Sequence, residues 1–437
     1  MHSQSALDPE VGRELYQLAQ ELYPICRSIT GEGVRRTLKR IGDLVPLTVH
    51  EVRSGTQVLD WSVPLEWNIR DAWIATTGGR RVVDLRDSNL HVVSYSRPVR
   101  ARLGRNELDA HLHSLPDRPD WIPYRTTYYA DTWGFCVTER QRAALDDAEY
   151  DVCIDATLEP GSLTYGEVVL PGNESGEVLL SAHVCHPSLA NDNLSGIVTL
   201  VGVIQHLVRK PRRYTYRILF APGTIGALTW LATHEADVHK IVHGLVVSCL
   251  GDSGTFTYKQ SRQEAAEIDR VVEHVLRHSA PGHRVRRFSP DGYDERQYCS
   301  PGFDMPVGRL TRTPNGEYPE YHTSADNLDL IRPDALAESV DIVVTVLEVL
   351  DENRTLVNQS PKGEPQLGRR GLYRTLGGLP DSPVLEQAIR WTLNLSDGRH
   401  SLLDIAERSA LSFHVVRAAA CLLTDHGLLA GQLGPVR

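Results

Sequence analysis

The chain has 437 residues, of which 41% are hydrophobic and 23% charged, and its formal net charge is -10. At about 100–200 residues per domain, this suggests two to four domains, each with enough apolar material for a core. With 46 basic against 56 acidic side chains, a surface that coats nucleic acid or sits on an anionic membrane is not expected.

The N-terminal residues lack the basic-then-apolar pattern of a secretory leader, and no later run approaches the roughly 20 apolar residues of a membrane helix. Leu15, Leu18, Leu22 and Ile25 recur near helical spacing, and GEGVRRTLKRIGDLV resumes the pattern, so residues 8–42 are expected to be helical. Short alternating runs follow: TVHEV, QVLDWSV, DAWIATT, RRVVDL and LHVVSYS. Broken by SGT, GG and DSN, they predict a small β-rich domain over residues 51–130. Over residues 131–360, strand patterns such as GEVLLSAH, TYRILFA and IVHGLVVSCL alternate with helical ones such as GIVTLVGVIQHLVR. That alternation predicts an α/β architecture, a mainly parallel sheet flanked by helices. The polar NQSPKGEPQLGRRG reads as a linker. Residues 365–437 then predict three helices and a small hairpin, the outline of a winged helix. Its last helix carries Ala and Leu where a DNA reader carries Arg, Lys, Asn or Gln, which points to docking or homo-oligomer formation over DNA binding. Seven scattered cysteines without CxxC spacing argue against a disulfide scaffold and for a reducing, cytoplasmic setting.

Chemistry concentrates in two stretches. SAHVCHPSLANDNLSG, residues 181–196, gathers His183, His186 and Asp192 just after an apolar strand, and EYPEYHTSADNLD supplies His322 with Glu320, Tyr321 and Asp326 around it. Loops that follow parallel strands converge at the carboxyl edge of a sheet. Two imidazoles and a carboxylate with one open position form the donor set of catalytic zinc. On spacing alone, plainer readings stay open: a polar loop whose histidines bond to backbone, and a helix cap built on Thr323 or Ser324 with Asp326 in the first turn. Cys185 and Cys249 read as thiolate ligands or as small buried residues. Asp252 reads as an acid that orients a ligand or as a loop cap. Arg309 and Arg312 fit a substrate carboxylate through their planar forks, or an ion pair with Glu317 or Glu320. The aromatic residues of DWSVPLEWNIRDAW lack the basic neighbours of a nucleic-acid stacking platform and read as core.

Longer motifs run over almost the whole chain, among them LYPICRSITGEGVRRTL, SGTQVLDWSVPLEWNIRDAWI, HLHSLP, LPGNESGEVLLSAHVCHPSLANDNLSG and DERQYCSPGFDMPVGRLTRTPNGEYPEYHTSADNLD. Through them the chain resembles bacterial aminopeptidase-like proteins of the DUF4910 type, with an inserted DUF2172-type β-domain and a C-terminal winged helix. That group is similar in turn to the M28 zinc aminopeptidases. The resemblance implies a phosphorylase/M28-like sheet whose first helices lie in residues 1–50, and hydrolysis of an amide- or peptide-type small substrate. It implies that His183, Asp192 and His322 hold Zn2+, with His186 as a further ligand or a support. Carboxylate positions of M28 enzymes fall at Cys185, near Cys249, and at Gly223 and Thr224 in APGTIG, where relatives usually read PETIG. One zinc per chain is therefore expected, and the general base is missing from position 223. Glu295, Glu320 and Tyr321 are the catalytic candidates, the two glutamates being alternatively structural acids. The family match places Asp294 near the site, on the substrate side with Arg309 and Arg312, and Arg27 of CRSITGEGVR close to the pocket. A second function stays open: a non-peptidase member that binds a small molecule, or runs an altered zinc reaction in a biosynthetic pathway.

Overall fold

The computed structural model describes residues 9–146, 148–372 and 382–431. The chain forms two compact units, a larger one that ends at 264 and resumes over 284–340, and a smaller one built from 265–283 and the chain after 340. All seven cysteines are free thiols. Among the described residues no helix is long and apolar enough to cross a membrane.

The larger unit is organised around an eight-stranded sheet. Its strands run in the order Thr48–Arg53, Ser162–Leu170, Thr215–Ala221, Glu177–His183, Ile241–Val247, Val307–Thr311, Thr257–Lys259 and Arg284–Arg286. The four central strands, from Thr215–Ala221 to Val307–Thr311, are parallel to one another. Their composition explains the position. In Glu177–His183 every residue after Glu177 is buried, so the strand has no polar face and must be covered on both sides. The helix Ser195–Leu207 is likewise buried around most of its circumference, as expected of a helix without a polar stripe. The N-terminal helices Pro9–Leu22 and Glu32–Gly42 carry the expected apolar stripe, with Leu15, Leu18, Leu22, Val34, Leu38 and Ile41 all buried.

The β-rich insertion forms a four-stranded antiparallel sheet in the order Arg81–Asp84, Glu66–Thr76, Glu149–Glu159, Val99–Gly104. Glu66–Thr76 pairs along its whole length with Glu149–Glu159, a strand that lies beyond residue 130. Trp67, Ala72 and Ile74 turn inward beside Val152, Ile154 and Ala156, while Arg70 and Asp155 pair on the exposed face. Between these strands a loop-rich segment carries residues 122–124 to the loop that contains His322. Ile122 N–H donates to Ser324 Oγ at 2.9 Å, Ser324 N–H to the Ile122 carbonyl at 2.8 Å, and Tyr124 N–H to the His322 carbonyl at 2.8 Å.

In the smaller unit the helices Ser382–Leu395, Leu402–Ser409 and Phe413–Asp425 accompany a three-stranded sheet in the order Asp397–Ser401, Thr355–Asn358, Leu429–Ala430. This is a winged helix, but GLLAGQLG does not close on itself within the described residues: Leu429 and Ala430 pair with Thr355–Asn358. In the last helix Arg417 is held by Glu352 at 2.5 Å.

Candidate metal centre

His183 is the last residue of its parallel strand and is 1% exposed. The chain then passes through His186 and a wide turn, Ala190–Leu194, that feeds the helix Ser195–Leu207. This turn points Asp192 back at the strand end, so that the carboxylate Oδ1 lies 2.8 Å from His183 Nε2. Its other oxygen, Oδ2, lies 3.0 Å from His322 Nε2 and 3.9 Å from His186 Nε2. His322 arrives from the loop after the strand Val307–Thr311, with its backbone in the left-handed region at φ 56°. One carboxylate therefore meets three imidazoles that come from two separate strand ends.

Neighbouring side chains hold this arrangement. Asp326 accepts the N–H groups of Asn191 at 2.6 Å and Asp192 at 3.1 Å, which sets the turn. Asp252 accepts from Asn191 Nδ2 at 2.9 Å and Thr313 Oγ1 at 2.8 Å, which ties the turn to the loop after Val307–Thr311. Arg27, itself buried, donates through Nε to the His186 carbonyl at 2.8 Å and through Nη1 to the Leu22 carbonyl at 2.7 Å. Thr323 Oγ1 accepts from Ala325 N–H at 3.2 Å within a turn, but the next helix begins only at Pro333, so this stretch is not a helix cap, and Asp326 is spent on the turn at 190–192.

Two tyrosines that sequence reasoning passed over frame the cluster. Tyr293 stacks on the His183 ring at 4.5 Å, donates its hydroxyl to Asp192 Oδ1 at 2.8 Å, and sits 3.3 Å from the Tyr321 hydroxyl. Tyr124 places its ring edge-on to His186 and His322, each at 5.1 Å. The only signal for Tyr293 was its place beside Asp294 and Glu295. An aromatic residue in a β-rich segment, such as Tyr124, reads first as core.

The electrostatics suit a divalent cation. Burial pushes the Asp192 carboxyl upward, but the facing imidazoles of His186 and His183 prevail and hold it well below the usual carboxylate range. Burial keeps the His186 ring neutral by lowering it to about 3. Ionised carboxylate and neutral imidazole are the ligating forms of both groups. Taken to the nearer carboxylate oxygen, Oδ1 for His183 and Oδ2 for His322 and His186, the separations of 2.8–3.9 Å are on the scale of the edge, roughly 3.3 Å, of a tetrahedron with metal–nitrogen bonds near 2.0 Å. The ligand atoms of His183, His186 and Asp192 all lie within 4.8 Å of one another. His322, with 35% of its side chain exposed against 1% for His183 and 0% for Asp192, marks the solvent-facing side.

Gly223 N–H donates to Cys185 Sγ at 3.2 Å, and burial raises this thiol to about 12, so it is a protonated, packed cysteine. Cys249 Sγ faces the Tyr318 and Tyr293 hydroxyls at 3.7 and 3.9 Å, and burial raises its thiol too. Asp294 accepts the Thr224 N–H at 2.7 Å, and burial lifts its carboxyl to about 6. Glu295 is wholly buried and tied to Lys259 Nζ at 2.7 Å, with Arg309 Nη1 at 3.4 Å. Every guanidinium nitrogen of Arg312 is engaged, with Gly254, Ser339, Ala335 and Glu338. Glu317 pairs with Arg284 and Arg286. The Glu320 carbonyl accepts from Thr323 Oγ1 at 2.8 Å.

Comparison with known proteins gives a consistent picture. A family described as a domain of unknown function, DUF4910, matches residues 16–353, and one described as a winged helix-turn-helix matches residues 354–431. A Clostridium acetobutylicum protein named as a polysaccharide biosynthesis protein with an aminopeptidase-like domain is 48% identical over 411 residues, 94% of each chain. A crystal structure from Clostridium acetobutylicum, described as that of a peptidase, matches with a TM-score of 0.92 at 46% identity over 97% of each chain. The zinc aminopeptidase BSAP of Bacillus subtilis matches with a TM-score of 0.58 at 12% identity, over 78% of this chain and 94% of that one. At that identity the likeness concerns the fold, which is aminopeptidase-like.

Proposed function

The chain belongs to the DUF4910 family, and on that premise we propose that it is a zinc-dependent hydrolase acting on an amide bond of a small or peptide-like substrate, with one zinc per chain. The observation that carries this reading is the Asp192 carboxylate with His183 Nε2 at 2.8 Å and His322 Nε2 at 3.0 Å. His183, Asp192 and His322 would hold the ion, and His186 would complete or support the set. Bound there, zinc supplies Lewis-acid polarisation of a carbonyl oxygen. A second ion lacks its ligands, because Gly223, Thr224 and Cys249 stand where further carboxylates would be needed.

The protein's own groups then divide the remaining work. Asp294 is the proton acceptor in this reading: Oδ1 is occupied by the Thr224 N–H, Oδ2 is left for the proton, and an acid titrating at about 6 suits a general base near neutral pH. Glu295 is already engaged by Lys259. Tyr321, a neutral phenol because burial raises it, can donate its hydroxyl proton to a developing oxyanion. The name of the Clostridium acetobutylicum relative supports a place in polysaccharide biosynthesis. A second reading, binding or altered chemistry without peptide hydrolysis, is favoured by one feature only, the absence of any side chain at Gly223.

Elemental analysis of protein purified without added metal tests the proposal. One equivalent of zinc is expected in the natural chain and a large loss in Asp192→Ala. A metal-free protein whose unfolding temperature ignores chelators would overturn it.

A further inference from the structure

Away from the imidazoles, two cations share one carboxylate. Lys259 and Arg309 are directly opposite each other where the strands Thr257–Lys259 and Val307–Thr311 pair antiparallel. Glu295 reaches both but sits closer to Lys259, at 2.7 Å against 3.4 Å to Arg309 Nη1. Lys259 is further satisfied by the Ser289 and Asp291 carbonyls, at 3.0 and 2.6 Å. Arg309 is only 6% exposed, yet its buried Nε and Nη1 make no aligned hydrogen bond among the described residues, Nη1 having only the ion-pair approach of Glu295 Oε1 at 3.4 Å. A buried guanidinium in that state is costly. It is rational where a ligand completes its bonding, because the planar fork matches an oxyanion.

The guanidinium also stands in the right place. Its carbon lies 5.4 Å from the centroid of the Tyr293 ring, and that same ring stacks on His183 and bonds to Asp192. The chain is shaped to admit it: Gly292 has φ +102°, and a Cβ there would come within 2.5 Å of Arg309 Nη1 and 2.4 Å of Glu295 Oε1. Arg312, three residues on, has no donor nitrogen to spare.

We infer that Arg309 is the anchor for a negatively charged group of the substrate, a carboxylate or a phosphate, so that the protein acts on acidic amides. The inference rests on the reading of this cluster as a substrate site and names the class of substrate.

Calorimetric titration of the full chain with N-acetylglycine, its uncharged counterpart N-acetylglycinamide, and inorganic phosphate tests it, in zinc-loaded and in chelator-treated protein. N-acetylglycine is expected to bind about tenfold more tightly than the amide, the scale of a charge-assisted contact, and to do so in both preparations. Arg309→Met should abolish the preference, and Arg309→Lys should keep part of it. Displacement of N-acetylglycine by phosphate assigns the site to oxyanions in general, and its absence assigns it to carboxylates. Equal binding of acid and amide by the natural chain overturns the inference, as does a preference that survives in folded Arg309→Met. Should that variant not fold, the comparison of acid with amide in the natural chain decides alone. A failed zinc assignment would show separately, as a chain without metal whose anion preference is intact.

Discussion

Tyr293→Phe isolates the hydroxyl that supports the proposed centre. The substitution removes the donor to Asp192 Oδ1 at 2.8 Å and keeps the ring stacked on His183 at 4.5 Å with an interplanar angle of 20°. A hydrogen bond to a charged group contributes about 1.5–3 kcal/mol. Expressed as affinity, that is a factor of roughly 10–100, which is also the usual loss when the outer partner of a metal ligand is removed. Oδ1 keeps its contact with His183 Nε2, so the carboxylate is loosened and not stripped of partners. Zinc affinity of Tyr293→Phe, measured by competition with a chromophoric chelator, is therefore expected to fall about 10–100-fold. Circular dichroism and the unfolding curve of the metal-free variant check that the fold persists. An affinity within about threefold of the natural chain would refute the orienting role of Tyr293, because so small a change leaves no room for a bond of the usual strength.

Three other perturbations probe the molecule at separate points. Gly223→Glu places no side chain in the left-handed backbone region, but its Cβ would meet Cys185 Sγ at 3.3 Å, so the thiol must give by a few tenths of an ångström, and His183 Cβ at 3.5 Å; if the missing acid limits turnover, peptide hydrolysis rises by about 10²–10⁴-fold, and an unchanged rate in a folded, zinc-loaded variant rejects that explanation. Lys259→Met leaves Glu295 buried with only the more distant Arg309 opposite it and should destabilise the protein by about 3–5 kcal/mol in urea titrations, a loss below about 1 kcal/mol counting against the pairing. In the smaller unit, burial lowers His274 to about 4, and its Nε2 accepts the Phe413 N–H at 3.0 Å, a role open only to the neutral ring. The folded value lies below the ordinary 6.5, so this stabilisation is full above pH 6.5 and is lost as pH falls toward 4. Unfolding midpoints of the full chain should fall across that window, and His274→Gln should flatten the fall; an unflattened curve would assign it elsewhere.

Much of this was legible along the chain because it is local. The spacing of Leu15, Leu18 and Leu22 declares a helix, and the apolar run before His183 declares a covered strand. The turn-rich ten residues from His183 to Asp192 place three ligand-type side chains at one strand end. His322 lies 130 residues from Asp192, and only the parallel sheet, in which Glu177–His183 and Val307–Thr311 lie on either side of Ile241–Val247, brings the two within 3.0 Å. The strand Glu149–Glu159 escaped the β-rich segment for a similar reason: its register with Glu66–Thr76 is a long-range pairing that no short window reports.

By itself the sequence determined the element types, the succession of modules and the chemical character of the donor set, since helical period, strand alternation and ligand type are carried by a few adjacent residues. Only the tertiary structure decided which charged groups are spoken for. Glu295, Arg312 and Arg309 look equally available in one dimension. In the fold Glu295 is neutralised by Lys259, Arg312 is fully bonded, and Arg309 keeps donors unmatched. The difference arises from burial, because removal from water makes each ion's state depend on the partner that packing brings to it.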